Sequence, residues 1–209
     1  MDRLHLYGDS RSGNCYKAAW ILRLSGTPFE WVETDVLRKD TRTPDFLALN
    51  PNGKVPLLVW PDGRVLSESN AMLLHLSRQT PYFPDDPWQQ ALVWQWLFFE
   101  QYSHEPYIAV MRFIVSVARR QDQEAARIPG LLERGYHALA VMERRLSRAG
   151  FFAGERFTVA DMALFAYTHT AEEGGFELQE YPQVRSWLER VTAEPAFLPM
   201  PEACRSYTA

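Results

Sequence analysis

The chain has 209 residues, a formal net charge of −4, 46% hydrophobic residues and 23% charged residues, the composition of an ordinary folded protein with enough chain for one large core or two smaller ones. No basic stripe of the kind that tracks nucleic acid is present, and no apolar run approaches the roughly 18 residues that span a bilayer, so neither nucleic acid nor membrane is an expected partner. Cys15 and Cys204 are the two cysteines, far apart and outside any ligand-like spacing; neither a disulfide framework nor a bound metal is expected, and a reducing compartment is the default. The opening MDRLHLYGD lacks the apolar segment of a signal peptide, so a cytoplasmic location is expected.

The first 80 residues alternate strand and helix signals. Leu4 to Tyr7 is a short apolar run closed by Gly8-Asp9, which predicts a strand. From Asn14 to Leu24 the residues Cys15, Ala18, Ile21 and Leu22 recur at helical spacing, and Ser25-Gly26 ends the helix. Phe29 to Val32 is aromatic and β-branched, a second strand. A short helix around Pro44 to Ala48 leads into Asn50-Pro51-Asn52-Gly53, a strong turn signal. Two brief strands follow, Pro56 to Trp60 and Val65 to Ser67, joined as a hairpin through Pro61-Asp62-Gly63. Ser69 is placed to cap a helix running to about Gln79. The order is βαβ, a short helix, then ββα, which predicts a mixed four-stranded sheet flanked by helices.

Pro81, Pro84 and Pro87 then read as a linker, and strand signals vanish beyond it. Trp88 to Val117 is one long helical pattern, with a bend expected at Pro106. After Pro129 the residues Leu132, Gly135, Leu139, Met142 and Leu146 share a face. Thr158 and Asp161 have the spacing of a capping box, with Phe157 placed to staple onto Met162. A last helix fits Val184 to Val191. The expected fold is an α/β domain over residues 1–80 followed by an all-α domain over 88–209.

The stretch YGDSRSGNCYK at residues 7–17 crowds Ser10, Ser12 and Cys15 into the place where a strand hands over to a helix. Ser, Asn and Gly are also common turn and cap residues, so the stretch alone fits a reactive centre or a capped loop. Two other candidate sites fail on spacing. His104-Glu105 begins like a zinc-protease motif, but position 108 is Ile, and Gly53-Lys54 lacks both the upstream glycine and the following Ser/Thr of a phosphate loop.

A thioredoxin-like βαβ-ββα half followed by a helical half resembles the cytosolic glutathione transferases, most closely the bacterial and theta-like branches that use serine or cysteine at the first turn. The resemblance rests on the serine-bearing turn, NPNGKVPLL at 50–58, SESNAMLLHL at 67–76 and TVADMALF at 158–165. It implies glutathione as co-substrate, a homodimer, and attack of the glutathione thiolate on a small hydrophobic electrophile. It implies a site as well. Val55, before a cis Pro56, would pair with the cysteinyl backbone as an added strand. Glu68 would take the γ-glutamyl ammonium, the Ser69 hydroxyl and nearby N–H groups the α-carboxylate, and Lys54 would lie near the glycyl carboxylate.

Alignment on the same pattern assigns the thiol to Ser12, whose hydroxyl would stabilise the thiolate. Ser10 falls to the loop, Cys15 to packing, and Asn14 to orienting Ser12 or to the helix cap, while His104 is a structural or cleft residue. The electrophile pocket would draw on Tyr102, Tyr107, Met111 and Arg112. Glutathione-dependent disulfide exchange is the rival activity, although Ser10-Arg11-Ser12-Gly13 departs from the Ser-Ser-Cys of the isomerase branch. A non-catalytic interaction module of the same fold is the rival of another class.

Overall fold

A computed structural model describes residues 3–208 of the chain. These residues fall into two units, one reaching to Thr80 and including the segment from Leu198 onward, the other Pro81–Phe197.

The first unit is built on a four-stranded sheet. Strand β1 (His5–Gly8) leads through helix α1 (Gly13–Leu24) to β2 (Glu30–Glu33), and helix α2 (Pro44–Leu49) precedes β3 (Leu57–Val59), β4 (Val65–Ser67) and helix α3 (Ser69–Ser77). The sheet order is β2-β1-β3-β4. β1 runs parallel to β2, the pairing a helical crossover favours, and antiparallel to β3, which pairs antiparallel with β4 through the Pro61-Asp62-Gly63 turn. Alternation along the strands sends Tyr7, Leu57 and Val59 to one face, where Phe46 and Leu49 of α2 cover them together with Val55. Leu6 and Leu58, opposite one another in register, go to the other face and are fully buried.

Helix α1 is covered nearly all round: Cys15, Tyr16, Lys17, Ala18, Ala19, Trp20, Ile21 and Leu22 are all fully buried. Part of that cover comes from the end of the chain. The Tyr16 hydroxyl donates to the Leu198 carbonyl at 2.6 Å, Arg23 donates to the carbonyls of Glu202 and Arg205, and Phe29 forms a two-way backbone bridge with Tyr207. Residues 198–208, including a short terminal helix (Met200–Ala203), therefore pack with the first unit, whereas the sequence pattern assigns them to the helical half. The latch is made by polar contacts across about 180 residues of chain, which no local pattern carries.

The second unit holds α4 (Pro87–Phe99), α5 (Glu105–Arg112), α6 (Ile128–Leu146), α7 (Val159–Thr168) and α8 (Pro182–Ala193). The expected bend near Pro106 is made by a π-helical turn, Glu100–His104, in which the Glu105 N–H reaches back to the Glu100 carbonyl. Pro106 is the second residue of α5, and the widened turn before it accommodates its missing donor and its ring. A second π turn, Phe113–Val117, follows α5. The core joins Trp96 to Phe152 (ring centroids 4.7 Å apart) and Phe152 to Trp187, with Phe165 against the same indole.

At the start of α7 the capping box forms as its spacing predicts, and it reaches further than a cap. Asp161 is fully buried and accepts four hydrogen bonds: Phe152 N–H and Trp187 Nε1–H on Oδ1, both at 3.1 Å, and Thr158 N–H (3.0 Å) and Oγ1–H (3.1 Å) on Oδ2. Among the described residues no helix is long and apolar enough to cross a membrane.

Candidate functional site

The serine-bearing turn starts with a buried carboxylate. Asp9, 1% exposed, accepts from the Arg11 backbone N–H (3.0 Å), Nε (2.8 Å) and Nη2 (2.6 Å), and from the Val36 N–H (3.1 Å). Arg11 also bridges to Asp35 at 2.8 Å. Burial pushes the Asp9 carboxyl up, but the bonds from Arg11 outweigh it and hold the group below the usual carboxylate range. The Ser12 N–H closes the turn on the Asp9 carbonyl at 2.9 Å. Asp9 and Arg11 thus fix the path of the loop that delivers Ser12. Their spacing gives no motif; only the approach of the end of β2 supplies the second carboxylate.

Ser12 is the N-cap of α1, with extended backbone (φ −88°, ψ 124°) and its Oγ accepting from the Cys15 N–H at 3.4 Å. A cap of this kind uses a lone pair of the oxygen, not its proton. Ser12 is half-buried, while Ser10 is exposed and bonded to Glu33. The Cys15 thiol is fully buried and pushed up to about 12 by that burial, in spite of a hydrogen bond with the Ser12 side chain. A thiol held neutral in this way packs as a small apolar group and is a poor nucleophile.

The Val55-Pro56 bond is cis, and among the described residues no hydrogen bond uses the Val55 N–H or C=O. The preceding turn is organised by buried Asn50, whose Oδ1 accepts from the Asn52 N–H and whose Nδ2 donates to the Lys54 carbonyl at 2.8 Å. Lys54 itself is exposed.

Glu68, not Ser69, is the N-cap of α3, and its side chain makes no capping bond. It is exposed and sits at φ 69°, ψ 109°, a region that costs a non-glycine residue about 1–3 kcal/mol and recurs at functional sites. Ser69 is the first helical residue, 3% exposed. Its hydroxyl is 3.0 Å from Asn14 Oδ1, an atom that can only accept, so the proton of Ser69 lies on Asn14. The N-termini of α1 and α3 are thereby tied side by side, with Ser12, Asn14, Glu68 and Ser69 around them. Lys54 and Val55 lie in the loop before β3, where Val55 packs against Phe46, Leu57 and Val59.

The four residues expected around the electrophile lie in the helical unit and do not share one environment. Tyr102 is 83% exposed, whereas Met111 is 2% exposed and belongs to the interior. Tyr107 accepts from Arg134 at 3.0 Å, and Arg112 is ion-paired to Glu173 at 2.8 Å. His104 is buried with Nε2 2.9 Å from Thr168 Oγ1. The Thr168 hydroxyl donates to the Leu164 carbonyl, so His104 is the donor, tying the π turn to α7. No cluster of three metal-ligating side chains occurs among the described residues.

Comparison with known proteins places this architecture. Residues 11–79 match the family model described as glutathione S-transferase, N-terminal domain, and residues 100–195 match glutathione S-transferase, C-terminal domain. Over 94% of its length the chain superposes on a crystal structure of a glutathione S-transferase from Pseudomonas fluorescens, covering 98% of that chain with a TM-score of 0.91 and 49% identity. It is similar to glutathione S-transferase F13 of Arabidopsis thaliana, with 30% identity and 93% of each chain covered. A glutathione transferase from Burkholderia graminis, solved with two glutathione molecules bound per subunit, is 27% identical with a TM-score of 0.81, over 97% of this chain and 88% of that one. The fold is a thioredoxin-like domain joined to a helical one. The chain belongs to the glutathione S-transferase family.

Proposed function

We propose that this protein is a serine-type glutathione transferase that stabilises the glutathione thiolate through Ser12 for attack on a small hydrophobic electrophile. The observation that carries the reading is the cap at Ser12. Its oxygen binds the α1 backbone through a lone pair while the proton can be offered to sulfur, at a helix N-terminus that favours negative charge. The cysteinyl backbone pairs with Val55 beside Pro56, Lys54 faces the glycyl carboxylate, and Glu68 with Ser69 and the start of α3 hold the γ-glutamyl end. In the chemical step the sulfur lone pair forms the new C–S bond and the leaving group departs with its electron pair. The electrophile's contacts with Tyr102, Tyr107 or Arg112 rest on the family resemblance, and buried Met111 drops out of that set. Burial of Cys15 speaks against a mixed disulfide on the protein and for chemistry on glutathione's own sulfur.

The test is glutathione binding by calorimetry, followed by turnover on a panel of electrophiles and mixed disulfides. Glu68→Ala and Ser69→Ala are expected to raise the glutathione Kd by roughly 10- to 150-fold, the effect of a lost hydrogen bond to a charged group of about 1.5–3 kcal/mol, with smaller changes in turnover of bound glutathione. Unchanged affinity in both variants would misplace the γ-glutamyl end. Absence of binding by the unaltered protein would favour a non-catalytic interaction module.

A cytoplasmic homodimer is part of the same proposal. Trp94 and Phe98 lie one turn apart on α4 with 44% and 75% exposure, an apolar surface suited to cover by a second copy. Light scattering at micromolar concentration should give twice the chain mass of 24.2 kDa, and a monomer would refute it.

A further inference from the structure

Both acceptor groups of Asp9 are engaged in the turn that delivers Ser12. Its carbonyl accepts the Ser12 N–H at 2.9 Å, closing a turn over residues 9–12, and its carboxylate accepts the Arg11 N–H at 3.0 Å, closing a smaller turn inside it. The same carboxylate takes the Arg11 guanidinium on both oxygens, at 2.8 and 2.6 Å, and the Val36 N–H at 3.1 Å. One side chain, buried, therefore ties the turn after β1 to the segment after β2. Burying an ion pair seldom stabilises a fold relative to apolar side chains of the same size, so this one calls for a reason other than stability. Ser12 supplies it. The bond from the Cys15 N–H to the Ser12 oxygen is 3.4 Å long, beyond the usual N–H···O range, and holds the hydroxyl loosely. The Ser12 backbone is held better, by its carbonyl on the Tyr16 N–H at 3.0 Å and by its N–H on Asp9. Glu33 adds a second hold one residue along, accepting from the Ser10 N–H and hydroxyl.

We propose that Asp9 is a positioning residue for thiolate stabilisation, setting through the 9–12 turn the direction in which the Ser12 hydroxyl is offered to sulfur. This rests on the reading of Ser12 as the donor to the glutathione thiolate. Positioning and charge act with opposite signs here. A carboxylate disfavours a second anion nearby, so loss of the Asp9 charge by itself would lower the pKa of the bound thiol. Loss of the clamp misdirects Ser12 and raises it.

The experiment follows thiolate absorbance against pH in the glutathione complex of the unaltered protein, Asp9→Asn, Ser12→Ala and the double variant. It is paired with the dissociation constant of S-methylglutathione, a ligand with no thiol to ionise. Asn keeps the size of the side chain but turns an NH2 toward donors that the carboxylate now satisfies. Asp9→Asn should raise the pKa of the bound thiol by at least about half a unit, a factor of roughly 3 in its ionisation constant. Binding of S-methylglutathione should stay within about 2-fold of the unaltered protein. In the Ser12→Ala background Asp9→Asn should give no further rise, because the group it positions is gone. A lowered or unchanged thiol pKa in Asp9→Asn, an equal rise in the Ser12→Ala background, or a matching loss of S-methylglutathione affinity would each overturn the proposal. If Asp9→Asn does not fold, Arg11→Lys decides, since its side chain is 37% exposed and lysine keeps the charge while giving up the two-point fork. A rise that vanishes in the Ser12→Ala background supports the proposal; no rise, or one that persists there, overturns it. A protein that binds neither ligand overturns the glutathione reading, and a Ser12→Ala thiol pKa equal to that of the unaltered protein overturns the role of Ser12; the proposal falls with either.

Discussion

Replacing Ser12 by Ala is expected to raise the thiol pKa of bound glutathione by about one to two units while leaving glutathione affinity largely intact. A hydrogen bond to a charged group contributes about 1.5–3 kcal/mol, and one pKa unit corresponds to about 1.36 kcal/mol. Turnover near pH 7 should therefore fall, by at most the roughly 10- to 100-fold that one to two pKa units allow, and recover in part as rising pH forms thiolate unaided. Because Ser12 also caps α1, the same substitution should cost about 1 kcal/mol of stability. Ser12→Thr keeps a capping hydroxyl and should restore both properties, whereas Ser12→Gly should restore most of the stability and none of the pKa shift. The measurement is thiolate absorbance against pH in the glutathione complex. Ser10→Ala should behave as the unaltered protein, since Ser10 is bonded to Glu33 at the surface. Cys15→Ala should alter stability more than rate. An unshifted titration in Ser12→Ala, or lost turnover in Cys15→Ala, would remove Ser12 from its role.

The second large effect is structural. Asp161→Asn should destabilise the helical unit by roughly 2–6 kcal/mol, because the amide NH2 must face two of the four donors now satisfied by carboxylate oxygens. Each buried group left unpaired costs about 1–3 kcal/mol. A domain has about 5–15 kcal/mol in all, so thermal unfolding should show the change directly. Burial pushes the Asp161 carboxyl up to about 6 from an ordinary 3.8, although all four donors pull the other way. The sign for stability follows from the direction. Between about pH 4 and 6 the folded state holds a proton that the unfolded chain has released, so this group makes stability fall as pH rises through that window, by about 3 kcal/mol in total. In Asp161→Asn that component should be gone. An unfolding midpoint at pH 7.5 equal to that of the unaltered protein would mean that the four bonds do not support the fold as the geometry indicates.

Local signals in the chain carry most of the architecture, because each rests on a few neighbouring residues. The turns at Asn50-Gly53 and Pro61-Gly63, the Thr158/Asp161 box and the strand–helix alternation are all short-range patterns, whereas the sheet order β2-β1-β3-β4 needs the antiparallel β1–β3 pairing, which no single connection fixes. Boundaries move by a residue or two where pairing overrides propensity: β2 is Glu30–Glu33 and not Phe29 to Val32, since Phe29 bridges to Tyr207. The serine turn, Val55-Pro56 and Glu68-Ser69 are legible as motifs for the same reason.

Tertiary structure decides what those residues can do. The sequence makes Ser69 a cap with a proton to give; packing moves the cap to Glu68 and places Asn14, 55 residues away, where it takes that proton. It makes Lys17 a charged residue on an apolar helix, and only the closure of α1 against α3 buries it on two amide oxygens. It leaves Asp9 and Arg11 as loop polarity until Asp35 and Val36 arrive from the end of β2. Hydrogen-bond direction depends on which acceptor stands opposite each donor. Those partners are distant in sequence, so the polarity of the site is fixed only when the helices meet.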